Sequence, residues 1–81
     1  MPSKSVTVGS SVGLHARPAA LIAEAAGALG SSVTINGVDA GSSLMIMTLG
    51  AKYGDTVEVA GEDQADVDSI AALVEQDLDA D

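Results

Sequence analysis

The chain has no cysteine, no tryptophan and no phenylalanine, one tyrosine, one histidine and three cationic side chains against twelve carboxylates. Without cysteine, disulfides, thiolate nucleophiles and zinc–thiolate sites are excluded, and a single histidine excludes an all-imidazole metal centre. No metal and no cofactor are therefore expected. The scarcity of Lys and Arg argues against nucleic acid, whose binding depends on neutralising many phosphates, and Tyr53 alone offers no platform for stacked bases. Long apolar runs are also missing. The longest, Pro18 to Ala23, ends at Glu24 and is far too short to cross a bilayer, while Met1-Pro2-Ser3-Lys4 leads into an alternating pattern and not into an apolar leader. A soluble, cytoplasmic protein with no membrane insertion is expected. Nor is there a phosphate-binding Gly-Lys loop or a nucleophile elbow, so a free-standing kinase or hydrolase has no support.

Eighty-one residues bound the chain to one small domain, 1–81, whose core is a single layer of helices on one sheet. A monomer is expected. The net charge of −9 is unevenly placed: residues 1–23 hold Lys4 and Arg17 and no carboxylate, whereas residues 55–81 hold ten acids and no Lys, Arg or His. The acidic end reads as a solvated face that favours solubility.

What the chain does have is Gly13-Leu14-His15-Ala16-Arg17-Pro18-Ala19-Ala20. The only histidine stands two residues from an arginine at the start of an apolar helix. A helix N-terminus leaves its first backbone N–H groups without intrahelical partners and carries a partial positive charge, which suits an anion. His15 supplies a nucleophilic ring nitrogen, and Arg17 a permanent charge whose planar fork matches phosphate oxygens. Pro18 fits the first helical turn, where its missing N–H is no loss. Because proline disfavours helical geometry at the residue before it, the helix can begin at Ala16 with His15 as cap, or at Pro18. Both starts leave His15 at the helix mouth. Taken alone, an H-x-R pair is also compatible with an exposed histidine and a solvated arginine of no further consequence.

The remaining elements follow from periodicity. Ser5-Val6-Thr7-Val8 alternates as a half-buried strand, and Gly9 to Gly13 forms a Ser/Gly loop. The first helix should run to about Leu29, with Ala19, Ile22, Ala23, Ala26 and Leu29 on its apolar face and Gly30 as a left-handed C-terminal cap. Ser32-Val33-Thr34-Ile35 alternates again, and Asn36-Gly37 signals a hairpin that returns through Val38 to Ala40. Ser42 can cap a short helix, Ser43 to Leu49, closed by Gly50. Thr56 to Ala60 forms the last strand. Asp63, with Asp66 three residues on, can cap a final helix whose buried stripe is Val67, Ile70, Ala71, Val74 and Leu78. This β-α-β-β-α-β-α order gives an α+β fold: an open-faced β-sandwich with a four-stranded antiparallel sheet covered on one face by three helices.

Leu44-Met45-Ile46-Met47 is the second informative segment. A Met-containing stripe is commonly core, since methionine fills irregular gaps. A helix this short, however, cannot bury four consecutive large apolar side chains, so some must reach solvent, where adaptable methionines suit a surface that meets several partners. Leu44 and Met47 are expected outside, Ile46 and Leu49 inside.

Val6-Thr7-Val8, the run Gly13 to Ala19, and Ser42-Ser43-Leu44-Met45-Ile46-Met47-Thr48-Leu49-Gly50-Ala51 together resemble the HPr family, especially its actinobacterial members. These are the histidine-containing phosphocarriers of the bacterial phosphoenolpyruvate:sugar phosphotransferase system. The resemblance spans the whole chain. It implies that His15 accepts phosphate, at the ring nitrogen nearest the backbone, from phosphorylated enzyme I and passes it to a sugar-specific enzyme IIA, with Arg17 stabilising the phosphate. It also implies docking through Ala16, Pro18, Ala20, Leu44, Met45, Met47 and Thr48. Ser42 matches the family's regulatory serine, although Gly41 stands where a basic residue commonly precedes it; the role as helix cap is the favoured account of Ser42. Related expectations are a regulatory module that binds proteins without turnover, or a carrier for a nitrogen or dihydroxyacetone branch.

Overall fold

The computed structural model describes residues 2–76. Alternating small polar and β-branched residues make β1 (Ser3–Thr7), β2 (Val33–Ile35), β3 (Val38–Asp39) and β4 (Thr56–Gly61), joined by α1 (Ala16–Gly27), α2 (Ser43–Thr48) and α3 (Gln64–Glu75). The strands form one antiparallel sheet in the order β1-β4-β2-β3, with Val6 opposite Val57 and Ile35 opposite Val59. Because side chains alternate across a strand, this register puts Val6, Val8, Val33, Ile35, Val57 and Val59 on one buried face, while Ser5, Thr7, Thr56 and Glu58 face solvent. Ile22 of α1, Ile46 of α2, and Val67, Ile70 and Val74 of α3 close over the buried face. With no Phe or Trp, these aliphatic side chains supply the core, each large one contributing roughly 1.5–3 kcal/mol on burial.

The turns are as the local chemistry demands. Asn36 and Gly37 both take positive φ, 50° and 84°, the two-residue turn that matches hairpin twist. Asn36 does more: its backbone N–H donates to the Glu58 carbonyl, and its side-chain oxygen accepts from the Glu58 N–H, both at 2.8 Å, which fastens the hairpin to β4. Gly50 closes α2 with φ 65°. Asp63 caps α3 by accepting from the Ala65 N–H at 2.9 Å.

Several boundaries differ from the sequence expectation. α1 stops at Gly27, two residues short of Leu29, because Ala28 and Leu29 donate to the carbonyls of Ala25 and Ala26 three residues back and so tighten the last turn. That turn satisfies the terminal carbonyls, and Gly30 has no positive φ and is not a left-handed cap. β1 begins earlier, at Ser3, and β4 extends to Gly61. β3 ends at Asp39, with the Ala40 N–H still donating to the Val33 carbonyl at 3.0 Å. Asp66 accepts from the Ser31 hydroxyl at 2.7 Å, so it ties the loop after α1 to α3. Leu78 lies outside the described residues.

Candidate functional site

His15 is presented by a loop whose every turn is fastened to a neighbouring element. The Gly9 N–H donates to the Val74 carbonyl at 3.0 Å, and the fully buried Ser10 hydroxyl donates to the Gln76 carbonyl at 3.2 Å, so the last turn of α3 grips the start of the loop. Gly9 has to be glycine. A Cβ there would collide with the Glu75 carbonyl. The Gly13 N–H returns to the Ser10 carbonyl at 2.8 Å, and the Leu14 N–H donates to the Ala51 carbonyl at 3.0 Å. Gly13 sits at φ 77°, and a Cβ on it would lie 2.5 Å from the same Ala51 oxygen, so backbone approaches backbone as closely as a residue without a side chain permits.

With Leu14 buried, the next residue emerges at the surface. His15 is the N-cap of α1 in extended geometry (φ −117°, ψ 173°), its carbonyl accepting from the Ala19 N–H at 3.1 Å. The helix thus begins at Ala16. The imidazole makes no capping bond to the helix and is exposed. Arg17, two residues on, is exposed in the first turn, where the amides lack intrahelical acceptors. Pro18 occupies the same turn and removes one such amide at no cost. The arrangement offers an accessible imidazole, a guanidinium and the positive end of a helix within one turn of chain, which is what a dianionic group requires.

The Leu14–Ala51 bond also brings the end of α2 beside the mouth of α1, and the two helices pack together. On α2, Leu44 and Met45 are 68% and 43% exposed and Thr48 is exposed, while Ile46 is fully buried. Met47 corrects the expectation. It is half-buried against the core, as is Leu49; at 100° per residue Leu44 and Thr48 lie opposite Ile46, while Met45 and Met47 stand about 100° to either side of it, so packing and not spacing separates the exposed Met45 from the half-buried Met47. Pro18, expected at the docking surface, is buried and presents no side chain; Ala16 and Ala20 are exposed. Ser42 caps α2, accepting from the Met45 N–H at 3.4 Å, and the Thr48 hydroxyl donates to the Met45 carbonyl at 2.6 Å.

Sequence reasoning missed Ser10, Ala51 and the carbonyls of Val74 and Gln76 as the groups that hold the loop. The glycines at 9 and 13 were the only signal for those close approaches. It also passed over Leu21 of α1, 39% exposed. Among the described residues, no group of three or more His, Asp or Glu could hold a metal ion, and no helix is long and apolar enough to cross a membrane. A groove along β1, bordered by Tyr53 and Glu75, reaches the start of the loop at Gly9 but is not lined by His15 or Arg17. His15 and Arg17 both lie exposed at the surface.

A family model described as the PTS HPr component phosphorylation site matches residues 2–76. A phosphocarrier protein HPr of Streptomyces coelicolor is 37% identical over 87 residues, covering 98% of this chain and 94% of the relative. Among solved structures, HPr-C-His from Thermoanaerobacter tengcongensis superposes with a TM-score of 0.88 at 27% identity, covering 100% of this chain and 99% of the other. A phosphocarrier protein HPr from Bacillus anthracis gives 0.83 at 30% identity, covering 90% and 95%.

Proposed function

The chain belongs to the HPr family of phosphocarrier proteins of the phosphotransferase system, and from that premise we propose that His15 accepts a phosphoryl group from phospho-enzyme I and donates it to a sugar-specific enzyme IIA. The observation that supports this most is the exposed His15 at the N-cap of α1, with its ring uncommitted to capping and Arg17 two residues on. An imidazole nitrogen of His15 attacks phosphorus in line while the bond from phosphorus to the donor atom of phospho-enzyme I breaks, and that atom keeps the electron pair. Charge on the three equatorial oxygens falls to Arg17 and the first-turn amides. Alignment comes from the loop, since Ser10, Gly13 and Leu14 fix where residue 15 emerges.

A carrier has to release what it binds. An exposed phosphoimidazole with few fixed contacts keeps its transfer potential, and the partner supplies the dry surroundings during transfer. Leu44, Met45 and Thr48, with Ala16 and Ala20, form the surface on which enzyme I and enzyme IIA dock, and Met47 supports it from beneath. Ser42 acts as the cap of α2; a phosphate there would rest at a helix N-terminus but add negative charge to the docking face. The protein works in the cytoplasm as a transiently phosphorylated carrier and not as an enzyme with its own turnover.

A reconstituted relay tests the reading. Enzyme IIA incubated with phosphoenolpyruvate, magnesium and enzyme I should gain phosphate only when this chain is added. Equal labelling of enzyme IIA with and without the chain, or none with it, contradicts the reading.

A further inference from the structure

The two helices that pack beside His15 each carry exposed apolar side chains: Leu21 of α1 at 39%, and Leu44 and Met45 of α2 at 68% and 43%. On α1, Arg17, Leu21 and Glu24 are exposed at i, i+4 and i+7, so they form one stripe that runs from the His15 end through a cation and an apolar side chain to a carboxylate. At the entrance to α2 stands a second carboxylate. Asp39 accepts from the Gly41 N–H at 2.8 Å, which holds it beside the Ser42 cap and one turn from Leu44. Between Arg17 and Lys52 the sequence contains no Lys or Arg at all, and Glu24 and Asp39 are its only acids there. Each exposed apolar stretch therefore has a carboxylate for a neighbour, Glu24 one turn after Leu21 and Asp39 at the entrance to the helix that carries Leu44 and Met45.

The net charge of −9 makes those carboxylates consequential. With a screening length of about 8 Å at physiological ionic strength, charges next to the exposed apolar side chains act most strongly at a contact there, and the net negative charge of the rest of the chain adds to them with the same sign. A partner face carrying carboxylates would meet Glu24 and Asp39 with like charge; one carrying Lys or Arg would be drawn in and oriented. We propose that this face selects an enzyme I whose contact surface is an apolar patch rimmed by Lys or Arg, with Glu24 and Asp39 reading that rim. The proposal rests on the carrier reading above and adds to it the chemistry of the partner.

The test uses the whole chain and the enzyme I of the genome that encodes it, following phosphorylation from phosphoenolpyruvate as the carrier concentration is varied. For the native chain, KM should rise with salt, since attraction is screened. Glu24→Gln with Asp39→Asn, which retains an oxygen to accept the Gly41 N–H, should flatten that salt dependence. Glu24→Lys should raise KM about threefold to tenfold at low salt, a gap that closes near about 0.5 M salt. Melting curves matching the native chain keep misfolding out of the comparison. A KM that falls or stays level with salt, or a Glu24→Lys protein that docks as well as the native one, overturns the charged-rim proposal while leaving the carrier intact. No phosphate on the native chain at saturating enzyme I would instead overturn the carrier reading, and this proposal with it.

Discussion

The Leu14 N–H donates to the Ala51 carbonyl at 3.0 Å, and this one backbone bond joins the residue before the histidine to the residue after the closing turn of α2. The bond ties the mouth of α1 to the end of α2, and in the proposed relay it couples phosphate transfer at His15 to docking on α2. Gly13 makes the approach possible. Gly13→Val puts a β-branched residue at φ 77° and a Cβ 2.5 Å from the Ala51 oxygen. Chemical denaturation should show a loss of about 2–3 kcal/mol, and phosphate transfer should slow further than the same loss of stability causes elsewhere in the chain. A Gly13→Val protein with native stability and native transfer would mean that the Leu14–Ala51 contact is incidental.

Arg17 is exposed, and in the proposed relay its charge serves the phosphate. Arg17→Ala should change stability by no more than roughly 0.5 kcal/mol while slowing transfer about tenfold or more. Rapid-quench kinetics beside a melting curve separate the two effects, and unchanged kinetics would make the residue a bystander.

Met45 and Met47 should respond oppositely to the same change. Met45 is 43% exposed, so Met45→Glu should keep the native melting curve and weaken docking to enzyme I, by placing a charge in an apolar contact. Met47 packs against the core. Met47→Glu should cost about 1–3 kcal/mol, read as a lower melting temperature before any partner is added. If both variants melt like the native chain, the short helix presents a different face.

Ser42 holds the first turn of α2 through its bond to the Met45 N–H. Ser42→Ala should lose about 1 kcal/mol, and Ser42→Asn, another good cap, should lose less. Equal losses would show that the cap bond contributes nothing.

How much of this was legible in the sequence follows from which interactions are local. Alternation of Val with Ser and Thr placed the strands, Asn36-Gly37 placed the hairpin, and Ser42 and Asp63 placed two helix starts, because each signal acts within a few residues. His15 and Arg17 were visible for the same reason, with the helix mouth built from adjacent chain. The grip on the loop was not visible. Gly9 meets Val74, Ser10 meets Gln76 and Leu14 meets Ala51 through backbone groups that every residue possesses, so no side-chain pattern encodes the pairing. The end of α1 was misread because Gly30 suggests a left-handed cap, whereas the carbonyls of Ala25 and Ala26 are already satisfied by Ala28 and Leu29. Met47 was misplaced because four successive apolar residues give the helix no polar mark of its outward face; tertiary packing, through Ile46, set the rotation.

The central claim is that the single imidazole is the phosphate acceptor, and the mass of the intact protein tests it most directly. After incubation with enzyme I, magnesium and phosphoenolpyruvate, the native chain should gain one phosphoryl group that is lost in acid and kept in base, and His15→Ala should gain none while melting like the native protein. A His15→Ala chain that still gains the phosphoryl group under the same conditions would contradict the account.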